Sequence, residues 1–255
     1  VTLRLPPTSG LKLHLAAWQP NGIEGAGLVS GQGMATWTNR GTGVADGVQN
    51  NTAHQPQWKA ARNRWPAVQF DSVSDRIDIP SSASTLAFIH ETAVFDIFLA
   101  FRPSVNKAML ICGNAYNTGD KGFVIERNQT IVGSPITFYL FLGPGEFRSF
   151  TTNNFFTASF EPGIANKLLF RAAGVGSRLQ GSNDFETIYS TTGNGTGAAL
   201  PTLPTGDATA DCQIGAQNSA NFYGGEILDV AIYNRNLSTA ELNTMSAYFD
   251  ERYGI

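Results

Sequence analysis

Carboxylates, histidines, thiols and loop aromatics are the side chains here that could do chemistry, and their spacing decides which chemistry. Glycoside hydrolysis needs two carboxyl groups flanking one bond, so two on the same strand must stand an even number of residues apart. Glu226 and Asp229 are three apart, as are Asp75 and Asp78. In an unbroken strand each pair points to opposite faces. A sugar-cleaving pair would then have to come from different strands, and the expectation is a protein that is not an enzyme. His14, His54 and His90 are widely separated, with no His-Glu-x-x-His pattern and no Gly-x-Ser-x-Gly elbow, so metal-dependent and serine hydrolysis have no local support. The glycine-rich stretches 25–33 and 41–47 hold neither a phosphate-loop lysine nor a dinucleotide fingerprint, and read as turns.

Recognition of a sugar asks for something simpler: an aromatic face for the ring, and amides or carboxylates for its hydroxyls. Two loops have that composition. Asn114-Ala115-Tyr116-Asn117-Thr118-Gly119-Asp120 offers Asn114, Tyr116, Asn117 and Asp120; Gln217-Asn218-Ser219-Ala220-Asn221-Phe222-Tyr223 offers Asn218, Asn221 and Tyr223. Asn and Asp are also ordinary turn formers. Calcium is the one cofactor that suits such oxygens, with Asp71, Asp75 and Asp120 as contributors; no contiguous calcium-loop motif is present, and otherwise no cofactor is expected. Cys112 and Cys212 belong to no Cys-x-x-Cys pair and read as buried thiols. Trp37, Trp58 and Trp65 lie beside strand segments and read as core, whereas Trp18, near Pro20-Asn21-Gly22, is expected at the surface.

The elements that must position these groups are strands. Short β-branched and aromatic runs recur between Gly, Asn, Asp, Ser and Pro clusters, an all-β pattern. Residues 93–101, 136–142 and 167–171 are too apolar for one wet face and predict central strands of a two-sheet core. Residues 147–160 carry five phenylalanines around Asn153-Asn154 and predict two strands joined at a tight turn. One helix is expected, after a strand over 226–233: Ser238-Thr239-Ala240-Glu241 is a capping box, Leu242, Met245 and Phe249 form an apolar stripe, and Gly254 ends it. Residues 191–207 read as a surface loop. No repeat or linker divides the chain, so residues 1–255 are expected to form a single domain.

Composition narrows the function classes. Only 15% of the 255 residues are charged and the formal net charge is -3, which disfavours nucleic acid, since phosphate binding needs a dense Lys/Arg stripe. At 42% hydrophobic residues and a mean hydropathy of -0.11, a sizeable core fits and a membrane-inserted chain does not. The opening Val1-Thr2-Leu3-Arg4-Leu5-Pro6-Pro7 has no charged segment followed by an apolar one, so no secretory signal is expected within it.

Four segments resemble the concanavalin A-like, laminin G-type jelly-roll family. They are Leu11-Lys12-Leu13-His14-Leu15-Ala16-Ala17; Ala35-Thr36-Trp37-Thr38-Asn39-Arg40-Gly41; Pro66-Ala67-Val68-Gln69-Phe70-Asp71; and, most specific, Gly224-Gly225-Glu226-Ile227-Leu228-Asp229-Val230-Ala231-Ile232-Tyr233-Asn234-Arg235-Asn236-Leu237-Ser238, with Tyr253-Gly254-Ile255 after the helix. The resemblance implies an all-β, two-sheet antiparallel jelly-roll sandwich with a short C-terminal helix. Ala16 and Asn39 stand where many relatives have aspartate, so the family pattern supplies no calcium ligand there. Family domains occur in bacterial surface proteins, secreted carbohydrate-active enzymes and bacteriophage virions. The implied function is a non-catalytic surface or assembly module: a virion component such as a head-decoration or tail protein, oligomeric among other virion or surface proteins. The alternative is a carbohydrate-binding, lectin-like domain at the cell surface or outside the cell, and the two overlap if a virion module also touches glycans.

Overall fold

The computed structural model describes residues 4–22, 28–62, 65–104, 109–115, 119–127, 136–152, 163–190, 198–216 and 221–255. Sixteen strands among them form two antiparallel sheets of eight. The first sheet runs β14 (Tyr189–Ser190), β13 (Gln180–Ser182), β12 (Asn166–Ala173), β7 (Val94–Pro103), β16 (Gly224–Tyr233), β5 (Trp65–Asp71) and β4 (Gln57–Arg62), with β1 (Leu11–Ala16) also on β16. The second runs β11 (Phe147–Thr151), β10 (Ile136–Leu142), β9 (Lys121–Arg127), β8 (Met109–Gly113), β15 (Cys212–Ile214), β6 (Ile77–Ile79), β3 (Gly47–Val48) and β2 (Thr36–Trp37). Their inner faces share a core in which Phe95, Phe101, Phe123, Phe138 and Phe170 meet Ile77, Ile111 and Ile227, completing the jelly-roll sandwich.

All ten residues of β16 are buried, because both its faces are covered. One edge pairs with β7 along its length, while the other is shared, with β5 on Gly224–Ile227 and β1 on Asp229–Tyr233. Leu228 is an extra residue at that handover, a β-bulge opposite the Phe101–Ala100 step of β7. Its carbonyl accepts from the backbone N–H of Ala17 and the hydroxyl of Tyr253, so the bulge leaves no acceptor unpaired.

The outer face of the first sheet is covered by α3 (Thr239–Tyr253). Ser238 and Glu241 make the expected capping box, and Gly254 ends the helix at φ 64°, a left-handed conformation that favours glycine. Leu242, Met245, Tyr248 and Phe249 pack onto Ala16, Ala67, Ala100 and Ala231, whose small side chains let the helix sit close to the sheet. Two short helices, α1 (Ser82–Thr85) and α2 (Phe88–Glu91), follow β6, with Leu86 and Ile89 in the shared core. Both ends of the described chain lie on the α3 side: the Arg4 amide donates to Glu251 Oε2 at 3.0 Å and Lys167 Nζ to the Ile255 carbonyl at 2.9 Å.

The expected strands at 93–101, 136–142, 167–171 and 226–233 are β7, β10, β12 and β16. Of the aromatic stretch 147–160, β11 is the first strand, and the turn at Asn153-Asn154 lies outside the described residues. Residues 198–207 form no strand, with Leu200 anchored in the core. Trp37 and Trp58 are core, as expected, whereas Trp65 is only half-buried against the α3 side of the first sheet. Trp18 is a correction. It is 5% exposed, because Arg252 of α3 stacks 3.7 Å from its ring and its Nε1–H donates to the Tyr248 hydroxyl at 2.9 Å.

Candidate functional site

Side chains alternate along β6 and β15. Ile77, Ile79, Cys212 and Ile214 face the core, so Asp78 and Gln213 face outward. They are direct cross-strand partners, and Gln213 Nε2 donates to Asp78 Oδ1 at 2.8 Å. Arg76 Nε donates to Asp78 Oδ2 at 3.4 Å, while Gln213 Oε1 is buried without a partner in the described residues. The same rung continues through Gly113 on β8 and Val124 on β9 to Tyr139 on β10 and Ser149 on β11.

At this far end the outer face turns aromatic. Tyr139, Phe141 and Phe147 form a triangle with ring centroids 5.9 to 6.0 Å apart, resting on Val124 and Ala115. Tyr139 and Phe147 are half-buried, so part of each ring reaches the surface. Gly113 contributes no side chain between the polar and aromatic halves; a Cβ there would stand 2.7 Å from the Phe123 carbonyl, so glycine lets β9 close in. Glu126, outward on β9 one register step from Tyr139, is half-buried, and burial raises its carboxyl above the ordinary value. Among the described residues no helix packs over this face.

The loop residues anticipated from sequence fall differently. Asn114 and Asp120 flank the loop that leaves β8 beside Ala115, at the margin of the aromatic triangle; Tyr116 and Asn117 lie outside the described residues. Asn114 itself is fully buried, its Oδ1 accepting from the Phe123 amide at 2.8 Å, and Asp120 is 8% exposed. As sugar-facing groups both are corrected: closing the β8–β9 connection takes their side of the loop inward. Asn218 lies outside the described residues, and Asn221 is exposed. Tyr223 is also corrected, since it is 0% exposed, with its ring edge-on to Phe70 and its hydroxyl donating to the Glu226 carbonyl at 3.3 Å. The two loops lie at opposite ends of β8, because β15 runs antiparallel to it.

The aspartates named for calcium are not assembled. Asp71 Oδ1 accepts from the amides of Val73, Ser74 and Asp75, and these bonds, with the Ser74 hydroxyl, hold its carboxyl below the ordinary value against the effect of burial. Asp75 Oδ2 accepts from the Asp71 amide at 3.0 Å, and burial together with the Asp71 charge pushes its carboxyl up to about 6. Asp120 stands at the other end of the second sheet, before β9. No group of three His, Cys, Asp or Glu able to hold a metal occurs among the described residues. At the two departures from the family pattern, Ala16 lies under α3, and Asn39 ties its loop to β1, with Oδ1 accepting from His14 and Gly41 amides and Nδ2 donating to Lys12 and Val44 carbonyls.

The bulge at Leu228 overturns the expectation for Glu226 and Asp229. With Ile227 and Val230 both inward, the extra residue brings the two carboxylates to the same outer face. Each is nonetheless engaged. Glu226 is 5% exposed and ion-paired with Arg102. Asp229 is fully buried under α3, where Oδ2 accepts from Tyr248 at 2.5 Å and from Tyr253 at 2.9 Å, and His14 Nε2 lies 3.2 Å from Oδ1. Burial, reinforced by the Asp229 charge, raises both phenols well above their ordinary value and keeps them donors. Asp75 and Asp78 remain apart, one in a loop and one on the open face.

No protein-family model and no curated protein matches the chain. Its fold is similar to that of Trypanosoma rangeli sialidase. The structure in complex with sialic acid gives a TM-score of 0.58 at 17% identity, over 96% of this chain and 34% of that one. A further structure of that sialidase gives 0.57 at 14% identity, over 96% and 33%. The chain therefore spans about a third of the length of those sialidase structures. The carbohydrate-binding domain CBM40 of Ruminococcus gnavus IT-sialidase, bound to α2,3-sialyllactose, overlaps less well, with a TM-score of 0.49 at 13% identity over 71% of this chain and 96% of that one. At these identities the likeness is one of β-sandwich fold.

Proposed function

We propose that the chain is a non-catalytic carbohydrate-recognition module and that the open face of its second sheet takes the sugar. The observation that carries this reading is the rung joining the Gln213–Asp78 pair to Tyr139 beside Phe141 and Phe147. Aromatic surface suits the apolar face of a pyranose ring, and an amide beside a carboxylate suits its hydroxyls. The absence of catalysis is supported by Glu226 and Asp229, the carboxylates that share one face of a strand, since ion pairing and burial occupy both. Tyr116 and Asn117, which follow Ala115 in sequence, and Asn221 belong to the residues to be tested.

A setting at a virion or cell surface, in contact with other proteins there, is the finer part of the proposal, and the weakly charged composition supports it. Assembly through apolar edges has less behind it: the large apolar side chains more than half exposed among the described residues are Leu5, Val29, Val73, Ile164 and Val175, each in a separate turn or loop.

A glycan-array screen, with calcium and again with chelator, tests the reading. Saturable binding that falls about tenfold or more in both Tyr139→Ala and Gln213→Ala is expected. Loss under chelator would add a calcium site, and silence on the array would overturn the recognition reading.

A further inference from the structure

We infer that the ligand of this open face is a neutral glycan presenting adjacent hydroxyl pairs, and that sialylated and other anionic glycans are excluded; the inference rests on the recognition reading above. The charges decide it. Among the described residues, the outward charged side chains on the strands of the second sheet are Asp78 and Glu126, one on each side of Gly113. Arg76, just before β6, already donates to Asp78. The arginine that ends β9, Arg127, points the other way and is 2% exposed. An incoming carboxylate or sulfate therefore meets two carboxylates and one cation that is already paired.

Hydrogen-bonding capacity leads to the same ligand. Gln213 Oε1 is a buried acceptor without a partner in the described residues. Glu126 is half-buried, which raises its carboxyl, and among the described residues it has no ion pair. Thr137, its cross-strand partner, has its hydroxyl 3.2 Å from Thr151 Oγ1, where either oxygen can donate. The charged groups of the face and Gln213 Oε1 are thus acceptors, while the Tyr139 and Ser149 hydroxyls can serve either way. A ligand rich in hydroxyl donors complements the face: a carboxylate takes two such donors at once, and an amide oxygen takes another. A ligand rich in acceptors would leave these groups unpaired.

The test is a set of glycans in matched pairs, each neutral oligosaccharide beside its terminally sialylated form, titrated against the full chain and against Glu126→Gln and Asp78→Asn. Neutral members are expected to bind at least about tenfold tighter than their sialylated counterparts, with Glu126→Gln weakening them. Equal or tighter binding of the sialylated members would overturn the inference while leaving recognition intact. Binding of neither class would overturn the recognition reading and the inference with it. Because Glu126 and Asp78 sit on different strands, loss of folding in one variant leaves the other to report.

Discussion

Tyr248 donates its hydroxyl to Asp229 Oδ2 at 2.5 Å, tying α3 to the bulged strand β16 through a fully buried carboxylate. The same phenol oxygen accepts from Trp18 Nε1 at 2.9 Å, so one atom holds helix, sheet and N-terminal segment together. Tyr248→Phe removes a donor from a buried carboxylate and strands the indole N–H. A loss of about 1.5–3 kcal/mol is expected, the range for a hydrogen bond to a charged group, read as a lower midpoint in urea unfolding. An unchanged midpoint would mean that the contact contributes nothing net.

Ser238 caps α3 by accepting from the Glu241 amide, while Glu241 reaches back to the Ser238 amide at 2.9 Å and also pairs with Arg235. Ser238→Ala should lower stability by about 1 kcal/mol. Thermal melts of both proteins check this, and coincident curves would contradict it.

Asp75 gives a pH signature of known sign. Its carboxyl titrates near 6 when folded, against an ordinary 3.8, so the folded state keeps this proton to higher pH than the unfolded chain does. Stability from this group is fully present below about 4 and falls as pH rises through about 6. Asp75→Asn should therefore gain on the wild type across that window and hold the gain above it. Urea midpoints of the two proteins between pH 4 and 7 measure the difference, and a constant gap would rule the effect out.

Cys112 and Cys212 are both fully buried, with Sγ atoms 3.6 Å apart on neighbouring strands. Their mutual contact and burial push the Cys112 thiol up, away from the reactive thiolate. Neither thiol should react with an aromatic disulfide reagent in native buffer, and both should react once the protein is denatured. Rapid labelling of the native protein would show that β8 and β15 part readily.

The helix was readable from sequence because its start is chemical: a serine and a glutamate at fixed spacing have few alternatives to capping. The long strands were readable because burial on both faces leaves an unbroken apolar run, as over Ile97–Phe101 of β7. The bulge was not, since Leu228 looks like any other apolar residue, yet it alone decides which way Glu226 and Asp229 face. Trp18 was misplaced because turn formers follow it in sequence, whereas its cover comes from Tyr248 and Arg252, more than two hundred residues away. Tyr223 was misplaced because its ring packs edge-on to Phe70, distant in sequence, which takes it into the core. The open face was hidden inside strands read as core. Tyr139 alternates with Phe138 and Leu140 in a run where every residue but Thr137 is apolar or aromatic, so only the registers of β9, β10 and β11 reveal which side it takes.

Arg4 and Ile255 both contact the layer formed by α3 and β12, on the side of the sandwich away from Tyr139 and Gln213. The molecule therefore has a back and a front. A tether joined at either end would hold it by the back, with the aromatic front turned outward. On the proposed reading, several copies strung on one support would present parallel fronts, and weak single contacts with sugar would add up without any change in the residues that make them.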